Sequence, residues 1–133
     1  MEPAIIDTQT FLCSSNYNVQ QKLRSYRTIY GFVNLSIVTY EEVVNKLRYE
    51  DFKYLLKNSR AYLNFNQVIP ITKEITQLAE NLYTEFKQKG VEIKFSDLLV
   101  AATALKHNLT LITNNKKLIE YIPGLQVDKW TLY

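Results

Sequence analysis

A chain of 133 residues with 47% hydrophobic residues is long enough to bury a sizeable core as one domain without staples. Its 1 cysteine, Cys13, excludes an internal disulfide and a cysteine-built zinc site, and its longest apolar stretch, Leu98 to Leu105, is far too short to span a bilayer. The charge balance, 16 Lys+Arg against 13 Asp+Glu for a net +3, is mildly basic and compatible with a nucleic-acid partner. The opening Met1-Glu2-Pro3-Ala4-Ile5-Ile6-Asp7 has neither a basic n-region nor a long apolar h-region, so a soluble cytoplasmic protein is expected.

In chain order, Ala4-Ile5-Ile6 reads as a short apolar strand ending at Asp7. Val19, Leu23, Tyr26 and Tyr30 recur at helical spacing. Val33 to Val38 is a second strand. Tyr40, Val43, Val44 and Leu47 form a helical stripe, and Thr39-Tyr40-Glu41-Glu42 before it has the form of a capping box. Phe52, Leu55, Leu56 and Ser59 start another helix that runs to about Leu63, and Val68 to Ile71 is short and extended. The clearest helix is Thr72 to Lys89: Ile75, Leu78, Ala79, Leu82, Tyr83 and Phe86 keep one apolar face, and Gly90 stops it. Asp97 to His107 is apolar nearly all round and reads as a buried helix, with Asp97 as its natural N-cap and Ser96 as competitor. Leu109 to Thr113 is a buried strand. Asn114-Asn115 turns the chain, and Ile122-Pro123-Gly124-Leu125 leads to an edge segment near Val127.

Strands alternating with helices imply an α/β fold with a mainly parallel sheet flanked by helices. In such a sheet, ligands bind beyond the carboxyl ends of the strands. Asp7, Glu42 and Asp97 all fall at strand-to-helix transitions. Each taken alone suits a helix start as well as a site. Together, with no Cys or His beside them, they suit a hard divalent cation such as Mg²⁺ or Mn²⁺.

The remaining candidates have plainer readings. His107 suits the dipole at a helix C-terminus. Cys13 has no His neighbour and reads as a buried structural thiol. Lys116 and Lys117 follow the Asn114-Asn115 turn at the cleft rim, where a solvated turn or a phosphate contact would both fit. The 10 Tyr suit half-burial in core and interface, with base stacking as their other use. No glycine-rich phosphate loop is present, which argues against a P-loop nucleotide hydrolase.

The ordered motifs Ala4-Ile5-Ile6-Asp7-Thr8, Ser36-Ile37-Val38-Thr39-Tyr40-Glu41-Glu42-Val43, Phe95-Ser96-Asp97-Leu98-Leu99-Val100-Ala101-Ala102, Leu109-Thr110-Leu111-Ile112-Thr113-Asn114-Asn115 and Ile122-Pro123-Gly124-Leu125 resemble a PIN domain, nearest to the VapC-type toxins of bacterial toxin–antitoxin pairs. The resemblance covers nearly the whole chain and implies a single PIN-like domain over 1–133, a three-layer fold. It further implies a metal-dependent ribonuclease that hydrolyses RNA phosphodiester bonds, forms a homodimer and is held inactive by a cognate antitoxin protein. Asp7, Glu42 and Asp97 match the acidic metal-binding positions. Glu42 matches better than Glu41, because the family has an aliphatic residue directly after its Glu. Thr113 and Asn115 match the end of the fourth strand and are implied to orient a ligand or water.

The chain departs from the family at Gln9, where Asn is common, and at Asn45, where Gly is common. It has Asn115 where many members carry an acid, and Leu118 where some carry another. These departures leave open a second reading, a catalytically degenerate PIN-like module that binds RNA or a protein partner. They also predict a weak second metal position.

Overall fold

Short strands, buried throughout only in the central pair that begins at Ala4 and Thr110, frame the computed structural model, which describes residues 1–13, 16–49 and 66–131. Among the described residues the strands are β1 (Ala4–Ile6), β2 (Val33–Ser36), β3 (Asn66–Ile69), β4 (Thr110–Ile112) and β5 (Val127–Asp128). They form one parallel sheet in the order β3-β2-β1-β4-β5. The helices are α1 (Thr8–Leu12), α2 (Tyr17–Tyr30), α3 (Ile37–Tyr49), α4 (Lys73–Gln88), α5 (Phe95–Lys106) and α6 (Lys116–Tyr121). This is the expected α/β architecture. From β1 the chain builds outward to β2 and β3, then returns to place β4 on the other side of β1. The order reverses between β1 and β4, so their carboxyl ends open a crevice.

Alternation along β1 divides the core into two layers. Ile5 and Leu111 pack with Ile75, Ala79, Leu82 and Phe86 of α4 and with Leu98, Ala101 and Ala102 of α5. Ala4, Ile6, Val33, Leu35 and Ile112 pack on the opposite face with Phe11, Val19, Leu23, Tyr26 and Val43. The buried Tyr26 hydroxyl accepts from the Ala4 backbone N–H at 2.9 Å and donates to the Ala4 carbonyl at 3.2 Å, which ties α2 to the start of β1.

Several local expectations are corrected. β2 ends at Ser36, not Val38. The Ser36 hydroxyl accepts from the Val38 N–H at 3.2 Å and turns the chain into α3. The β-branched pair Ile37-Val38 therefore starts the helix. Thr39 is inside that helix and buried, so it does not cap it, and no capping box with Glu42 forms. Asp97 is in the first turn of α5, and Lys94 occupies the N-cap without a side-chain hydrogen bond. The Asn114-Asn115 turn leads into α6, a helix capped by Asn115 Oδ1 accepting from the Lys117 N–H at 3.1 Å. Cys13 is exposed at the C-cap of α1 and is not a buried thiol. The expected helix from Phe52 to about Leu63 lies outside the described residues.

Candidate active site at the carboxyl ends of the central strands

Asp7 leaves β1 at the switch point. Its backbone N–H donates to the Ile112 carbonyl at 3.1 Å, continuing the ladder with β4. Oδ1 accepts from the Thr10 N–H at 2.8 Å and caps α1. Oδ2 accepts from the Thr113 hydroxyl at 2.5 Å. Thr113 is fully buried, and its hydroxyl oxygen also accepts from the Asn115 N–H at 3.0 Å. One hydroxyl thus holds the Asp7 carboxylate and sets the turn that presents Asn115.

Glu42 comes from the second turn of α3 and is exposed. The Thr8 hydroxyl, directly after Asp7, donates to Glu42 Oε1 at 3.1 Å and lies 3.4 Å from Thr39 Oγ1. Asp97 enters from the first turn of α5 and is partly buried. Burial raises its carboxyl above the usual carboxylate range. The Glu42 charge adds to the rise, Lys94 opposes it, and Asp7 raises it further. Acids from three separate elements therefore share one electrostatic field. Asn115 and Asp97 line a common groove of about 790 Å³.

The acids are neighbours, not a finished cage. Among the described residues no three of His, Cys, Asp or Glu stand close enough together to hold an ion as placed. The donor chemistry nonetheless fits a hard cation: carboxylate oxygens with hydroxyl and amide support, and mutual repulsion that a cation would relieve. His107 caps the opposite end of α5 from Asp97 and takes no part. Leu118, at the position where some family members carry an acid, is 2% exposed and belongs to the core. Sequence reasoning gave no role to Thr8 or Lys94. Thr8 was legible as a hydroxyl adjoining the first acid, and Lys94 as a cation three residues before Asp97.

The PIN domain family model matches residues 5–122. Ribonuclease VapC2 of Rickettsia felis is 38% identical over 69 residues, which is 52% of this chain and 52% of that protein. The aligned stretch thus spans about half the length of the relative. The crystal structure of VapBC2 from Rickettsia felis, bound to a DNA fragment from its promoter, superposes with a TM-score of 0.82 at 23% identity, covering 96% of this chain and 98% of that one. A toxin–antitoxin complex from Klebsiella pneumoniae superposes with a TM-score of 0.69 at 28% identity, covering 96% and 98%.

Proposed function

The chain belongs to the PIN domain family, and on that footing we propose that it is a divalent-metal-dependent ribonuclease, the toxin of a bacterial toxin–antitoxin pair. The observation that carries the reading is the shared field of Asp7, Glu42 and Asp97 at the switch point. The likeness to a ribonuclease and to toxin–antitoxin complexes supports it.

In this reading Asp7, Glu42 and Asp97 hold the ion, Mg²⁺ or Mn²⁺. When bound, the ion supplies Lewis acidity toward water and the scissile phosphate. The chain's own groups do the positioning. Thr113 fixes the Asp7 carboxylate in one orientation. Thr8 does the same for Glu42. Lys94 offsets part of the negative charge around Asp97. Asn115 spends Oδ1 on the cap of α6, which leaves its Nδ2 donors for a phosphate oxygen or a water. The same reading makes residues 1–133 one functional domain, acting in the cytoplasm as a homodimer that a cognate antitoxin covers. No helix among the described residues is long and apolar enough to cross a membrane.

The degenerate, purely binding module is favoured by one observation, the absence of a preassembled ion cage among the described residues. Incubating the purified protein with single-stranded RNA in Mg²⁺, in Mn²⁺ and in chelator separates the two. The ribonuclease reading expects cleavage only with the ion and its loss in Asp97→Asn. Full activity in chelator, or equal activity in the variant, refutes it.

A further inference from the structure

The groove that Asp97 and Asn115 share extends away from the acids along α4 and the segment joining it to α5. Its wall carries Tyr83 on α4, and Lys87, Lys94 and Lys117 stand around it. Among the described residues none of these three lysines is within salt-bridge distance of a carboxylate, although Lys94 shares the field of Asp97. Lys87 sits with its ammonium 5.2 Å from the centre of the Tyr83 ring. Phe95 packs edge-on against the same ring at 5.9 Å, and Phe95 is two residues before Asp97. Lys117 reaches across from α6, and its ammonium donates to the Glu92 carbonyl at 2.5 Å. The acids lining the groove are Asp97 and Glu92, so the wall beyond Asp97 is cationic.

We propose that this groove is the path of a single RNA strand away from the scissile phosphate, with one base stacked on Tyr83 and the backbone phosphates on Lys87, Lys94 and Lys117. The inference rests on the ribonuclease reading and adds a substrate subsite to it. An aromatic ring braced by a second ring is a platform for any base, because every base has a π-face. A duplex keeps its base faces stacked inside and has none to offer this ring. The volume falls within the range of ligand clefts, roughly 300–1,000 Å³. Lys87 is placed to leave the ring for a phosphate once a base covers Tyr83, since a cation–ring contact at an exposed site is weak.

The test uses the full chain carrying Asp97→Asn, so that RNA is bound without being cut. A fluorescent single-stranded oligoribonucleotide and the same sequence as a duplex are titrated over a range of salt. Tyr83→Ala should weaken single-strand binding by about 5- to 150-fold, as expected for one lost base stack. Tyr83→Phe should bind like the parent. Lys117→Ala should lower the slope of log affinity against log salt by about 0.7, the single-strand value per phosphate contact. Equal affinity for strand and duplex, or unchanged binding in both Tyr83→Ala and Lys117→Ala, overturns the groove assignment. Cleavage by the wild-type chain, run in parallel, reports on the ribonuclease reading separately. Cleavage with unchanged binding in the groove variants would leave that reading standing and remove this one.

Discussion

Replacing Thr113 with Val tests whether a buried hydroxyl organises the acidic site. Val has nearly the same shape, so the cavity stays filled, but two hydrogen bonds disappear. The Asp7 carboxylate loses the donor that sits 2.5 Å from Oδ2. The Asn115 N–H loses its acceptor at 3.0 Å. A hydrogen bond to a charged group contributes about 1.5–3 kcal/mol and a neutral one about 0.5–1.5 kcal/mol. Together they amount to about 2–4.5 kcal/mol, or a fall in Tm on the order of 10 °C for a domain of this length. The functional effect should be separate and larger than unfolding explains at 25 °C. A residue that orients a metal-binding carboxylate typically supports affinity by about 10- to 100-fold. Thermal unfolding and calorimetric titration with Mn²⁺ read the two effects, and Thr113→Ser should retain both properties. A Val variant with wild-type Tm and wild-type Mn²⁺ affinity would refute the role given to this hydroxyl.

Asp97→Asn should raise the stability of the metal-free protein while abolishing cleavage, because it removes a carboxylate that burial, Glu42 and Asp7 all disfavour; urea unfolding checks it, and a less stable variant would contradict it. Since folding raises the Asp97 carboxyl above its unfolded value, folding takes up a proton there, and stability should increase as pH falls through the folded value. That gain is read as the difference between wild type and Asp97→Asn across acidic pH, and a difference that stays flat with pH would count against it. Asn115→Asp should keep the cap of α6, where Asp serves as well as Asn, and tighten divalent binding in calorimetry by adding a negative charge beside Asp97. Tyr26→Phe should cost about 1–3 kcal/mol in urea unfolding by leaving the buried Ala4 N–H without its acceptor, while the Ala4 carbonyl keeps the Asn34 amide, with metal affinity unchanged.

Much of the fold was legible because long stripes carry it. The α4 pattern from Ile75 to Phe86 fits one period, and tertiary packing buries Ile75, Ala79, Leu82 and Phe86 of that face. The apolar run from Leu98 to Ala104 had to be a buried helix, and it is. What the sequence hid was decided by single hydroxyls. Ile37-Val38 looks like strand by β-branching, yet both residues lie in α3, where the Ser36 hydroxyl accepts from the Val38 N–H. The short helices α1 and α6 have too few residues for periodicity to register, and the caps Asp7 and Asn115 define them. The acids were visible as residues at strand ends. Their relation through Thr8 and Thr113 was not, because those hydrogen bonds join positions 34 and 106 residues apart. The groove lined by Tyr83 was invisible for the same reason, since the helical stripe marked that ring only as part of an apolar face.

A Mn²⁺-soaked crystal with anomalous scattering tests the central claim most directly. One ion should appear between the carboxylates of Asp7, Glu42 and Asp97, with Thr113 still bonded to Asp7, and it should vanish from crystals of Asp97→Asn. An ion bound elsewhere, or a cluster that stays empty at Mn²⁺ concentrations where RNA is cleaved, would contradict the assignment of these three acids as the metal site.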